Sequence, residues 1–191
     1  MARKTYRRRR SRRRAKVSTS VVTYQRQIRL KLNSSSTAYN VSTTSQAIDG
    51  AENTSGETVN RKIVGVRGTL SYACQPAAGE QTDAMFALWA HPRIEDFPSG
   101  TDFDPFDAGP GGARTTYDGR PTPRPFCRKY FSHILQESGT STQFFQQHNF
   151  RSRAQRLLRP GWILTAGLWV RSSAASQKVA LGGIISVVVE N

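Results

Sequence analysis

The sequence predicts an all-β sandwich that follows a short basic arm. Short apolar runs with period-two alternation or β-favouring composition recur along the chain, and no run has the length and periodicity of a good helix. Charge is also unevenly distributed. The 191 residues include 28 basic and 13 acidic residues, a net charge of +15, and residues 1–16 hold ten of the basic residues and no acid. The remaining 175 residues carry 18 basic and 13 acidic residues, so their net charge is only +5.

Seven or eight short strands are predicted. Over residues 24–32 apolar and polar side chains alternate, which places Ile28, Leu30 and Leu32 on one face of the first strand. The other candidates are apolar or aromatic runs bounded by Gly and Pro, at residues 63–74, 85–89, 126–135, 142–150, 162–170 and 181–189. Three successive valines, 187–189, predict that the last strand is covered on both faces.

The connections between these runs differ in character. Residues 33–60 have Ser or Thr at 11 of 28 positions and predict a long surface connection with one short strand near residues 39–41. Residues 100–125 contain five Gly and five Pro, which predicts a long irregular loop. The basic stretch 151–159 allows one helical turn, and Pro160-Gly161 is expected to turn the chain.

Several protein classes are excluded. No apolar run approaches the ~18 to 20 residues that cross a bilayer, so membrane insertion is not expected. The basic N-terminus has no apolar segment behind it, as a secretory signal would have, although an Arg-rich organelle presequence is a further interpretation. The chain has two cysteines, Cys74 and Cys127, which do not support a disulfide-built mini-protein or a cysteine-based zinc site. No internal repeat is present, so a propeller or solenoid is not expected. We therefore predict two parts, a disordered arm over residues 1–20 and one folded domain over residues 21–191.

The arm is predicted to bind nucleic acid. It cannot bury apolar surface, and its like charges repel one another, so a polyanion is needed to order it. Arginine outnumbers lysine eight to two in residues 1–16, and the planar guanidinium binds phosphate oxygens in pairs and stacks on bases. The same charges suit a nuclear-import signal, or act only as a solvated tail. The candidate nucleic-acid-binding residues are Arg3, Lys4, Arg7, Arg8, Arg9, Arg10, Arg12, Arg13, Arg14 and Lys16.

A second basic group lies between two strand candidates and is a candidate for inner-surface nucleic-acid contacts. It consists of Arg151, Arg153, Arg156 and Arg159. Arg124, Arg128 and Lys129 are candidates for the same surface. The alternative is ordinary exposed charge that discourages stray strand pairing.

No arrangement of residues predicts catalysis, a cofactor or a metal site. His91, His133 and His148 are scattered without partners at metal-ligand spacing. The carboxylates Asp102, Asp104 and Asp107 lack the Gly and Glu of an EF-hand loop and are interpreted as turn residues. An enzyme is therefore not expected.

With a basic arm in front of a sandwich, the leading topology is a single eight-stranded jelly roll. The chain resembles the single jelly-roll capsid proteins of small icosahedral viruses. Val66-Arg67-Gly68-Thr69, followed by residues 70–74 and then Phe86-Ala87-Leu88-Trp89, is similar to a pair of strands in satellite tobacco necrosis virus coat proteins. The opening Ala2-Arg3-Lys4-Thr5-Tyr6 with its arginine run is similar to capsid proteins of circular single-stranded DNA viruses of the circovirus and genomovirus kind.

This resemblance implies a structural protein of the virion. About sixty copies would close a T=1 shell, with the arms directed inward to a single-stranded genome. Circular single-stranded DNA is favoured, with assembly in the host cell nucleus and host import receptors as further partners. The alternatives are the coat protein of an RNA satellite virus and a cellular basic nucleic-acid-binding β-barrel protein. Trp89 and Trp162 are expected to be core or interface anchors.

Overall fold

A computed structural model describes residues 20–54, 60–75, 81–93, 97, 105–106, 127–134, 144–153, 155–175 and 177–190. This part of the chain contains nine strands and no helix, so the predicted all-β fold is confirmed. The strands are β1 (Val21–Asn33), β2 (Ser42–Glu52), β3 (Arg61–Gln75), β4 (Gln81–Pro92), β5 (Cys127–Ile134), β6 (Phe144–Ser152), β7 (Arg156–Leu158), β8 (Trp162–Ser172) and β9 (Lys178–Glu190).

The strands form two antiparallel sheets. Sheet A has the order β1-β9-β3-β6, and the short β7 also pairs with β3. Sheet B has the order β2-β8-β4-β5. Every pairing joins strands that are not consecutive in the chain, except that of β4 with β5.

The main core lies between the two sheets. Alternation along the strands buries Ile28 and Leu30 of β1 and Leu70 and Tyr72 of β3, and Leu181 of β9, the register partner of Leu30 and Tyr72, is buried with them. Facing them, sheet B contributes the side chains of Ala84, Phe86, Leu88, Leu164, Ala166, Leu168 and Val170. The period of two in the sequence thus becomes the inner and outer faces of each sheet.

A second apolar cluster covers the other face of sheet B. Met85, Ala87 and Trp89 of β4 and Trp169 of β8 are buried there, and Phe97 and Phe106 pack against them. The rings of Trp89 and Trp169 lie 5.5 Å apart, and Phe97 meets the Trp89 ring edge-on at 6.1 Å. Residues from the long β4–β5 connection therefore cover this face, which is why β4 and β8 are nearly continuous buried runs.

A tight turn and one asparagine join β2, β7 and β8. Gly161 has φ +79°, and the amide of Trp162 donates to the carbonyl of Arg159 at 3.0 Å, as expected for a Pro-Gly turn of type II. The buried Asn53 side chain donates to the carbonyl of Leu158 at 2.8 Å. The predicted turn at Pro160-Gly161 is therefore confirmed.

Three local predictions are wrong. Residues 42–52 form the full strand β2 despite the Ser/Thr-rich composition. Ile48 and Ala51 are both buried although they are three residues apart, because the register of β2 against β8 shifts between Ala47 and Glu52. Residues 151–159 form no helical turn; β6 continues to Ser152 and residues 156–158 form β7 against β3. In β9 Val187 and Val189 are buried, but Val188 is only half-buried, because the outer face of sheet A is open.

Candidate nucleic-acid interface

The outer face of sheet A carries an excess of positive charge. The strand registers place residues of the four long strands side by side in rows, since antiparallel partners point to the same face. Five exposed basic side chains project from this face, and we call this set the basic face: Arg29, Lys31, Arg67, Arg151 and Lys178. One acidic residue of β9, Glu190, lies at the end of the same face and pairs with Lys62 at 3.9 Å.

Small side chains occupy the middle of this face. One row runs Lys31, Ala180, Ala73 and Phe145, from β1 across to β6, and the next runs Arg29, Gly182, Ser71 and Gln147. In these two rows the residues on the two central strands therefore form a low floor between taller side chains on β1 and β6, and the next row has Ile184 on β9. Shallow depressions occur along this floor, one beside Lys31 and Lys178 and one beside Arg67 and Asn149.

Glycines let the strands approach closely under this face. A Cβ added to Gly68 would lie 2.7 Å from the carbonyl oxygen of Ile184 and 2.9 Å from the ring of Phe150. In the Val66-Arg67-Gly68-Thr69 motif, Val66 is buried in the core and Arg67 is exposed on the basic face. The glycine thus serves packing between β3 and β9, and the arginine before it supplies charge.

The structure divides the second basic group that the sequence predicted. Arg151 lies directly opposite Arg67 and belongs to the basic face. Arg153, Arg156 and Arg159 are also exposed, around β7. The guanidinium of Arg159 lies 5.6 Å from the centre of the Trp162 ring, a cation–π contact.

The β7 end of sheet A is also the end where the arm joins the domain. Val21 pairs with Glu190, Glu190 pairs with Lys62, and Lys62 pairs with Leu157 of β7. The four strands from β1 to β7, which are β1, β9, β3 and β7, span only about 14 Å. The arginines around β7 therefore lie at the end of the sheet where the chain enters from the arm. The predicted arm residues themselves, Arg3 to Lys16, lie outside the described residues, as do Arg124, Asp102, Asp104 and Asp107.

Four titratable side chains are held among packed or hydrogen-bonded neighbours: His91, His148, Tyr72 and Cys74. Both ring nitrogens of His91 are hydrogen-bonded, Nε2 with the Thr165 hydroxyl at 2.9 Å and Nδ1 with the Pro92 carbonyl at 2.8 Å. His148 faces the Phe131 ring, and desolvation together with the charge of Lys129 lowers the pKa of its imidazole. Burial raises the pKa values of the Tyr72 phenol and the Cys74 thiol, which keeps both neutral.

Among the residues that the structure describes, no three His, Cys, Asp or Glu side chains group as metal ligands would. In the same part of the chain, no helix is long and apolar enough to span a membrane. His133 belongs to β5, and its side chain lies outside the described set.

The sequence pattern missed four members of the basic face. Arg29 and Lys31 appear in the period-two pattern of the first strand, where they mark its polar side. Arg67 and Lys178 sit at polar positions of two other strands. What the sequence could not provide is the order of the strands, which brings β1, β9, β3 and β6 into one sheet.

Comparison of the chain with known protein families and with curated proteins found no match.

Proposed function

We propose that this chain is a viral capsid protein that assembles into a small icosahedral shell and packages a single-stranded genome. The observation that carries the proposal is the placement of charge. The Arg-rich arm enters sheet A at Val21, and the outer face of that same sheet carries the five cations of the basic face. Positive charge in the arm sequence and on the outer face of the sheet that follows it supports a shell subunit whose sheet A faces a genome.

The strand pairing supports a jelly roll. A jelly roll consists of eight strands in two Greek keys, and it arises when a long antiparallel hairpin folds over so that its paired strands divide between two sheets. Without the three-residue β7, the pairs here are β1 with β9, β2 with β8, β3 with β6 and β4 with β5. The first and third pairs lie in sheet A and the other two in sheet B, which is the pattern that such a folded hairpin produces.

Charge arithmetic supports packaging. Ten arm charges in about sixty copies supply on the order of 600 positive charges, and the five cations of the basic face add about 300. A genome of roughly one to two thousand nucleotides carries phosphates of comparable number. Neutralisation with counterion release then drives co-assembly without reading of base sequence.

We favour circular single-stranded DNA as the genome, with the arm also serving nuclear import before assembly. An RNA satellite coat protein is the runner-up, since phosphate contacts do not distinguish the two nucleic acids. A cellular basic β-barrel protein is the main rival outside this class. The concentration of charge in a terminal arm favours the capsid interpretation, because the remaining 175 residues are only +5.

Two measurements test the proposal. Purified full-length protein should form uniform shells of roughly 20 nm by electron microscopy and light scattering. Nucleic acid extracted from the particles should be degraded by deoxyribonuclease and resist ribonuclease, which would support the assignment of a DNA genome. Protein that remains monomeric or dimeric with and without added nucleic acid would overturn the capsid function.

Removal of residues 1–16 tests the role of the arm. The truncated chain should retain the strand signal in circular dichroism, because the described sheets begin at Val21. Encapsidated nucleic acid should be lost or strongly reduced. Packaging at the full-length level would show that the arm is not the packaging element.

A further inference from the structure

Phe145 is an exposed aromatic side chain on the basic face, where Ile184 of β9 is another large apolar side chain that is exposed. It is 63% exposed and projects from β6 on the outer side of sheet A, directly opposite Ala73. Its neighbours along the same face of β6 are the polar Gln147 and Asn149. Contact of an exposed phenyl ring with water is unfavourable, so a ligand that covers the ring gains free energy.

The row that contains Phe145 has a cation at its other end. Lys31 on β1 and Phe145 on β6 are separated by Ala180 and Ala73, so the two tall side chains stand about 14 Å apart across a floor of methyl groups. Arg29 stands beside Lys31 two residues back along β1, and Gly182 and Ser71 continue the floor. This arrangement suits an extended nucleic-acid strand, whose phosphates would lie at the cations and whose bases would cross the low floor toward the aromatic ring.

We propose that the outer face of sheet A binds single-stranded nucleic acid directly, with phosphates at Arg29 and Lys31 and a base stacked on Phe145. The cations select a polyanion, because the single acidic residue described on this face is already paired with Lys62. The ring selects single strands, because bases within a duplex are stacked on one another and do not offer a free face. The proposal deepens the packaging function and depends on it for the choice of ligand.

The other occupants of such a face are less well matched. A second copy of this chain would bring the same five cations against each other, which is unfavourable without intervening anions. The chain's own arm is basic and is repelled by the same charges. Charge complementarity therefore favours nucleic acid as the occupant.

The test measures binding of full-length protein to a fluorescent single-stranded oligonucleotide and to a duplex of the same length, over a range of salt concentrations. Phe145→Ala should lower the affinity for the single strand about fivefold or more at every salt concentration, because aromatic stacking is not screened by ions. Binding of the duplex should not change. Phe145→Trp should restore single-strand binding, and Tyr39→Ala, which removes another exposed aromatic from outside the face, should have no effect.

The cations are tested through the salt dependence. Arg29→Gln with Lys31→Gln should reduce the slope of log affinity against log salt by about 1.4, since each phosphate contact on a single strand contributes about 0.7. Lys62→Gln is the matched control, because this lysine is on the same sheet but its charge is balanced by Glu190. A change of about 0.7 in the control, half that of the double variant for half as many charges removed, would show that net charge alone, and no local site, governs binding.

Photo-crosslinking locates the contact independently. An oligonucleotide that contains 5-iodouracil should crosslink to the peptide that includes Phe145, and Phe145→Ala should abolish this crosslink. Crosslinks confined to residues 1–16 together with unchanged affinity of Phe145→Ala would overturn the inference and leave the packaging function intact. A changed oligomeric state of Phe145→Ala without nucleic acid, at unchanged affinity, would instead assign the face to a protein interface. Absence of shells and of bound nucleic acid in the wild-type protein would refute the packaging function itself.

Discussion

Replacement of Trp89 by Ala should be one of the most destabilising single changes in the folded domain. Trp89 is 1% exposed on the covered face of sheet B, where it contacts Trp169 and the edge of Phe97. Its side chain buries about 200 Å², and at about 25 cal/mol per Å² this burial is worth about 5 kcal/mol. Alanine retains part of that area, but the cavity and the lost ring contacts add to the cost, so we expect a loss of about 3–5 kcal/mol.

Trp162 provides the matched comparison. It is the same residue type on the adjacent strand β8, but it is only half-buried and its ring meets the Arg159 guanidinium at 5.6 Å. Trp162→Ala should lose about half as much burial free energy as Trp89→Ala, together with a weak cation–π contact. We therefore expect it to lower the free energy of unfolding by about 1–3 kcal/mol. The sequence grouped Trp89 and Trp162 as equal anchors; burial separates them, and it adds Trp169 as the true partner of Trp89.

The free energy of unfolding should be measured by denaturant titration with far-ultraviolet circular dichroism, because each substitution removes a fluorescent reporter. Unassembled protein at one fixed concentration is required, since shell formation itself stabilises the folded state. For a domain of this size, each kcal/mol corresponds to a shift of about 2–4 °C in Tm, so Trp89→Ala should lower Tm by about 6–20 °C. A loss below about 1 kcal/mol, or a larger loss for Trp162→Ala, would refute the assignment of a second core on sheet B.

Three further outcomes are expected. Gln46→Met should lower the free energy of unfolding by about 1–2 kcal/mol and increase aggregation. The Gln46 side chain donates to the Gln27 carbonyl at 3.0 Å and accepts from the Arg29 amide at 2.9 Å, and both bonds lie along the free edge of β1. Gly167→Ala should cost about 1–3 kcal/mol, since its new methyl group would clash with the Phe97 ring; a weaker effect in a Phe97→Ala background would verify that contact, and equal effects would contradict it. Burial raises the pKa of Tyr72, so its neutral phenol stabilises the fold fully below the unfolded pKa of about 10, and stability should fall as pH rises above that value. Tyr72→Phe should flatten this alkaline loss in denaturant titrations, and an unchanged slope would contradict it.

Much of the fold follows from local sequence because the strands are long and one face of each is buried. The period of two located β1, the β-branched and aromatic runs located β3, β8 and β9, and Pro160-Gly161 specified its own turn. β2 was missed because composition and pattern conflict there. Its Ser- and Thr-rich sequence is typical of a loop, and only the partner β8 reveals that Ile48 and Ala51 face a core.

The candidate interface was harder to predict than the fold because it is a property of strand order. Arg29, Arg67 and Lys178 belong to three strands that are far apart in the sequence, and each alone is an ordinary exposed charge on a polar strand face. Placement of β9 between β1 and β3 aligns their outer faces. The small residues of β9 and β3, which look like weak strand positions by themselves, then become the floor between the cations and Phe145. The arm, by contrast, could be predicted from composition alone, because its ten charges lie within residues 3–16 and need no fold to bring them together.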